Sequence, residues 1–231
     1  MPADQITALR HRGFRLLWMA TLLSSTARWA DLVVVGWLTL ELTESALMVG
    51  IVAGSKMAGY IVAPFMGVAA DRMDRRQLLI IAALVNWAVS LIMLLLLLFG
   101  WLTLGHVIGL ALVSSLTWAL DNPTRQAFVP DLVNREDLIN AIALIAVATE
   151  LTVVAGPALG GILIPTLGIS GAYGLIAGIY LMDLVVLFLL KGVRQAIPKV
   201  HESPGRSLIS GLRYVWGNQT VLVLLVIAFL L

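Results

Sequence analysis

A bilayer core accepts only chain segments that satisfy their own backbone hydrogen bonds, which in a single chain means helices or a closed barrel. This sequence is a succession of apolar runs long enough to cross as helices. The run at about 77–99 is the cleanest, and others lie at about 15–39, 46–70, 103–121, 138–165 and 172–190. About 20 mainly apolar residues make one helical crossing. Of the 231 residues, 60% are hydrophobic and 12% charged, against roughly 25% charge in a soluble domain. The expected fold class is therefore an all-α integral membrane protein.

The placement of charge orients the runs. Loops near 40–45, 100–106 and 165–171 contain no Lys or Arg. Basic residues gather in the N-terminal segment, at 71–76, in a polar connector at 122–137 and after Lys191. Cytoplasmic loops carry such an excess. Six spans with the N-terminus in the cytoplasm account for the pattern, in a multi-pass protein of the cell (inner or plasma) membrane. The first run is too long for a signal-peptide core and is read as a retained span. With 0 cysteines, disulfides and thiol chemistry are excluded. No pattern of metal ligands, nucleophile triad or nucleotide loop is present, so neither a cofactor nor a nucleic-acid partner is expected. His11, His106 and His201 lie scattered near span ends and are expected to be inert.

The loop between the second and third runs reads Gly67-Val68-Ala69-Ala70-Asp71-Arg72-Met73-Asp74-Arg75-Arg76. It resembles the signature G-x-x-x-D-R/K-x-G-R/K-R/K of the major facilitator superfamily of transporters. Gly67, Asp71, Arg72, Arg75 and Arg76 match. Asp74 takes the place of a glycine, and Asp tolerates the left-handed backbone that such a turn uses. The resemblance implies a six-helix N-terminal bundle of two inverted three-helix repeats, with this loop as a cytoplasmic latch. Asp71 would engage a helix of a second half. Arg72 or Arg75 is expected to reach Asp121 at the end of the fourth span, with Arg125 nearby.

Two further stretches extend the likeness. Gly156-Pro157-Ala158-Leu159-Gly160-Gly161 is similar to the core of a fifth-span motif of antiporters in the superfamily, although Thr152 and Ala143 stand where the longer motif has glycines. Pro157 kinks its helix, and Gly156 and Gly160 share a face suited to close contact. The pairs Gly50/Gly54, Gly105/Gly109 and Gly174/Gly178 are expected to serve packing alone. The segment from Asp121 to Leu132 resembles the same junction in the branch that includes siderophore exporters and macrolide efflux proteins. The superfamily's fourth-span arginine is missing between Gly105 and Leu120.

Five ionisable residues fall within spans: Arg28, Asp31, Lys56, Glu150 and Asp183. Each costs about 2.5–3.5 kcal/mol on insertion scales if it faces lipid, so all are expected to face the bundle interior or a wet cavity. Arg28 and Asp31 are three apart on one helix and can pair locally. Lys56 is expected to be neutralised by Glu150 or Asp183. Glu150 has no close local partner and is the first candidate for a proton-accepting carboxylate.

Residues 1–190 are thus expected to form the six-span bundle. Residues 191–220 would be a cytoplasmic linker with an amphipathic helix, and 221–231 the start of a seventh span. Eleven helical residues rise about 16 Å, roughly half of the bilayer core, so the chain is read as an N-terminal fragment lacking a C-terminal six-span half. The implied function is secondary active export of small hydrophobic or amphipathic molecules of drug or siderophore type, by alternating access and coupled to protons. Its partners are the lipid bilayer and a small-molecule substrate. A membrane-embedded enzyme and a membrane scaffold or regulatory half-protein are the alternatives. The first would need clustered catalytic groups at one interface, and the second gains nothing from intramembrane charge.

Overall fold

In the computed structural model, residues 7–61 and 73–190 are described, and they form no strand. A 3₁₀ turn at Thr7–Arg10 leads into α1 (Arg12–Thr43), followed by α2 (Ala46–Met57), α3 (Arg75–Leu98) and α4 (Leu104–Leu132). A second 3₁₀ turn at Arg135–Asp137 precedes α5 (Leu138–Leu189). Among the described residues, three stretches are long and apolar enough to cross a membrane: Arg75–Leu98, Leu104–Leu132 and Arg135–Leu189. The charges of α1 and the brevity of α2 set those helices apart from this group.

The helix ends follow local chemistry. Glu44 closes α1 in a left-handed conformation, φ 52°, and its N–H donates to the Leu40 carbonyl at 2.8 Å. Asp74 does not make the left-handed turn expected of it. Its backbone is extended (φ −62°, ψ 120°), and its carboxylate accepts from the Gln77 N–H at 2.9 Å. The aspartate caps α3, satisfying one of the donors that every helix start leaves unpaired. His106, expected to be inert, takes part in the cap of α4, where the Thr103 N–H donates to its Nδ1 at 3.3 Å.

Two segments depart from the expected map. The first is the polar connector after residue 121, which is helical as far as Leu132 and contains Pro123 and Pro130. Each proline removes a backbone donor, but side chains one turn apart tie the helix together. Thr124 Oγ1 donates to the Leu120 carbonyl at 2.6 Å, and Gln126 Nε2 to Asn122 Oδ1 at 3.2 Å. Asp121, Thr124, Arg125, Phe128 and Val129 form one buried face. The polarity of this segment therefore belongs to a helix interior and not to a solvated loop.

The second is the expected loop at 165–171. Helical geometry fails there at Gly168 alone (φ 69°, ψ 175°). Ala141 and Ile145 pack in the same cluster as Leu184 and Leu187. A straight helix would hold Ile145 and Leu184 on the order of 60 Å apart. The chain therefore doubles back at Gly168, a reversal that a residue without Cβ makes at little steric cost.

The core has two apolar layers. One joins Phe14, Leu17, Leu79, Phe128, Ala141 and Leu187. The other joins Ala30, Val34, Val52, Met93, Val107, Leu163, Tyr173 and Ile176. Along α1, α4 and the second arm of α5, the numbering between these layers is where the buried polar residues fall, among them Thr21, Ser24, Ser115, Asp121, Arg125 and Asp183. The outward faces are apolar, with Ile92, Leu95, Val154, Leu181 and Phe188 exposed.

Glycines set two of the close approaches. A Cβ on Gly156 would lie 2.4 Å from Trp29 Cβ, and one on Gly160 would lie 2.9 Å from the Ala30 carbonyl oxygen. The Gly156–Gly160 face thus seats α5 directly on α1, with Pro157 inside the helix. A Cβ on Gly161, Gly50, Gly54, Gly109 or Gly178 would meet nothing within 4 Å, so among the described residues only the Gly50/Gly54 pair wholly lacks the expected packing, while Gly174 comes within 3.9 Å of Leu94 and Gly105 meets only its own cap residue Thr103. The tightest approach had no spacing signal. It is Gly59 against Ser115, where a Cβ would stand 2.0 Å from the carbonyl oxygen.

Candidate functional site

Between the two apolar layers, four of the five charges expected within spans, Arg28, Asp31, Lys56 and Asp183, meet opposite charges across helices. Arg28 and Asp31 do not pair locally as expected. Arg28 Nη2 donates to Asp121 Oδ2 of α4 at 3.2 Å, and Asp31 takes the ammonium of Lys56 from α2. Lys56 is therefore neutralised by Asp31 and not by Glu150 or Asp183. The order on α1, cation before anion, is the weaker one for a pair along a helix. Each side chain instead meets an opposite charge on a neighbouring helix.

Asp121 is also held from its own helix. Arg125 Nε donates to both of its oxygens, at 3.0 and 2.9 Å, and Arg125 Nη1 lies 3.4 Å from Thr21 Oγ1. Arg125 Nη2 sits 3.6 Å from Asp183 Oδ2. The side chains of Arg125, Asp121 and Asp183 are 4%, 5% and 1% exposed. Arg28, Lys56 and Arg125 balance Asp31, Asp121 and Asp183, so the ionised group is neutral as a whole. Burying charge is tolerable only with such pairing, because an uncompensated ion in this setting costs several kcal/mol.

One side of the group opens onto a cleft of about 90 Å³ lined by Arg28, Trp29, Asp31, Leu32, Lys56, Met57, Tyr60, Asn86, Ser114, Ser115, Trp118 and Tyr180. The Arg28 guanidinium lies 5.7 Å from the centroid of the Trp118 ring, within cation–π range. The Tyr60 and Trp118 rings are tilted against each other with centroids 3.9 Å apart. Asn86 accepts from Thr117 Oγ1 at 2.7 Å, which fixes its amide at the cleft wall. The cleft thus offers aromatic faces beside the Lys56–Asp31 pair and the Arg28 guanidinium, whose counter-ion Asp121 is not part of the lining.

A second polar set gathers where α3 begins. Arg75 Nη1 donates to the Ala127 carbonyl at 2.8 Å and to Asp131 Oδ2 at 2.5 Å, and Arg76 Nη2 to the Phe188 carbonyl at 3.0 Å. The N-terminal turn docks on the start of α5, more than a hundred residues away in sequence. Ala8 N–H donates to Asn140 Oδ1 at 3.2 Å, and His11 Nε2 meets Asp137 Oδ2 at 2.8 Å.

A family model described as "transmembrane secretion effector", in the major facilitator superfamily, matches residues 3–231. The chain belongs to this family. It is similar to the enterobactin exporter EntS of Shigella boydii serotype 18, with 29% identity over 184 residues. The EntS proteins of Escherichia coli O1:K1 and Citrobacter koseri are each 28% identical over the same length. These alignments cover 80% of the chain and 41% of each relative, so the chain spans about two-fifths of their length.

Within this secretion-effector chain, several expected residues take other places. Arg75 reaches α4 as expected, but at Asp131 and Ala127. Asp121 is occupied by Arg28 and Arg125, so no Arg75–Asp121 contact forms. Gly67, Asp71 and Arg72 lie outside the described residues, as do His201 and everything expected of 191–231. Glu150 is exposed on α5. Arg125 lies on α4, because that helix continues past residue 121 to Leu132. Tyr60, Asn86, Trp118 and Tyr180 were not singled out by any motif. The i, i+4 spacing of Asp121 and Arg125 was the one available sign that this segment is helical.

Proposed function

We propose that this chain is the N-terminal half of a secondary active exporter of small hydrophobic or amphipathic molecules, working by alternating access and coupled to protons. The observation that carries the reading is the cluster of three acids and three bases opening on an aromatic cleft inside an apolar bundle. A scaffold gains nothing from such groups. Ionisable residues at membrane depth mark substrate and ion pathways. The relatives named as enterobactin exporters support the direction of transport and a siderophore-like or drug-like cargo.

In this reading, six spans form two inverted three-helix repeats, with substrate bound near the midplane. Residues 1–190 make the bundle, 191–220 a cytoplasmic linker and 221–231 the start of a seventh span. A second six-span half supplies the opposite wall of the cavity and covers the exposed Glu150. The Gly67–Arg76 loop acts as the latch between halves, and Arg75 anchors its C-terminal end on Asp131.

The test is export by the full-length protein in sealed vesicles, with and without a pH gradient, with enterobactin as the first compound tried. Accumulation that follows the gradient is the expected result, and accumulation indifferent to it removes proton coupling. Orientation has its own test, which the cysteine-free sequence makes simple. A cysteine at Thr43 is expected to react with an impermeant reagent added outside cells, and one at Gln195 is expected to be protected. The opposite pattern would invert the topology.

A further inference from the structure

The charge cluster contains one carboxylate that its neighbours leave unfinished. Asp183 is buried within the bundle, and neither of its oxygens has a hydrogen-bond partner among the described residues. The nearest cationic atom, Arg125 Nη2, is likewise buried and without a partner, and the two stand 3.6 Å apart. That separation is too long for a hydrogen bond. A buried carboxylate that receives no hydrogen bond and has one loose ion pair at 3.6 Å is poorly compensated when ionised, and protonation relieves that cost. Arg125 commits its Nε to both oxygens of Asp121, which Arg28 holds as well.

We propose that Asp183 is an internal proton site and that Arg125 is the switch that reads it. This rests on the export reading for its purpose, but not for its chemistry. In the arrangement described, Arg125 stays on Asp121 and Asp183 is neutral. In the other arrangement, Arg125 swings its Nη2 edge onto an ionised Asp183, and Arg28 alone holds Asp121. The only bonds exchanged are O–H bonds: a hydronium in the cleft gives its proton to the Asp183 carboxylate and becomes water, and the reverse step returns it. Tyr180, one turn before Asp183, lines the cleft and places the site next to it. The charged and titratable groups around Asp183 are Arg125 and Asp121 on α4, Arg28 on α1 and Tyr180 on its own arm. No charged residue lies on α3 beyond Arg76. Glu150, the carboxylate favoured by sequence, is exposed and outside this group.

The site is tested by infrared difference spectroscopy of the purified full-length protein, acid minus neutral pH, in the parent and in Asp183→Asn, Asp183→Glu and Glu150→Gln. The expected result is a protonated-carboxyl band that Asp183→Asn loses, Asp183→Glu moves and Glu150→Gln keeps. A band that survives Asp183→Asn in full overturns the proposal. If Asp183→Asn does not fold, the glutamate variant decides, and a band left at its parental frequency there overturns it. The measurement needs no substrate and no transport. Absent export with the band tied to residue 183 would sink the exporter reading and leave the proton site standing.

Discussion

Asp121→Ala is expected to destabilise the protein by about 3–5 kcal/mol, the range for removing one partner of a buried ion pair. The aspartate is the shared counter-ion of Arg28 and Arg125, and its side chain is 5% exposed. Without it, Arg125 retains Thr21 Oγ1 at 3.4 Å and Asp183 at 3.6 Å. Thermal unfolding of the full-length protein in detergent measures the loss. Asp31→Ala is expected to cost less. Its partner Lys56 borders the cleft, where water can reach the ammonium once the carboxylate is gone. Equal losses for the two variants would mean that burial does not grade these pairs, and the division into an inner and an outer part of the cluster would fail.

The second large effect belongs to Gly59→Ala. A methyl group there would stand 2.0 Å from the Ser115 carbonyl oxygen, which is backbone and cannot rotate away. The α2 end and α4 must separate, with an overpacking cost at the upper end of about 1–3 kcal/mol. Separation also opens the cleft wall, because Lys56, Tyr60, Ser115 and Trp118 all line it. Gly54→Ala is the control. It meets nothing within 4 Å, and an exposed helical Gly→Ala change should be neutral or favourable, by up to about 1 kcal/mol. The fluorescence that each variant loses on adding Trp118→Phe isolates Trp118 among the 7 tryptophans, and thermal unfolding is measured alongside. Gly59→Ala with parental stability and an unchanged spectrum would show that α4 and the segment just after α2 do not meet this closely.

Membership in a class of helical membrane proteins was legible from run length and charge placement, since both are imposed by the bilayer and not by the partner helices. Asp121 and Arg125 show where that legibility stopped. Polar residues and two prolines normally mark a loop, and nothing local says that their polar face is satisfied by α1 and the second arm of α5. The Gly156–Gly160 contact was legible because small residues at helical spacing have one main use. The Gly59–Ser115 contact was not, because a lone glycine carries no period.

The sequence by itself determined that the chain is helical and apolar, that its charges inside spans must be compensated, and that its family signatures lie where basic loops and small-residue faces fall. Solvation alone enforces these, residue by residue. Only the tertiary structure decided which charge compensates which. Arg28 left Asp31 for Asp121, Lys56 took Asp31, and Arg125 joined the core. Pairing depends on how helices are rotated and how closely they approach. Those are set by the two apolar layers and by contacts such as Gly156 on Trp29, which no single helix encodes.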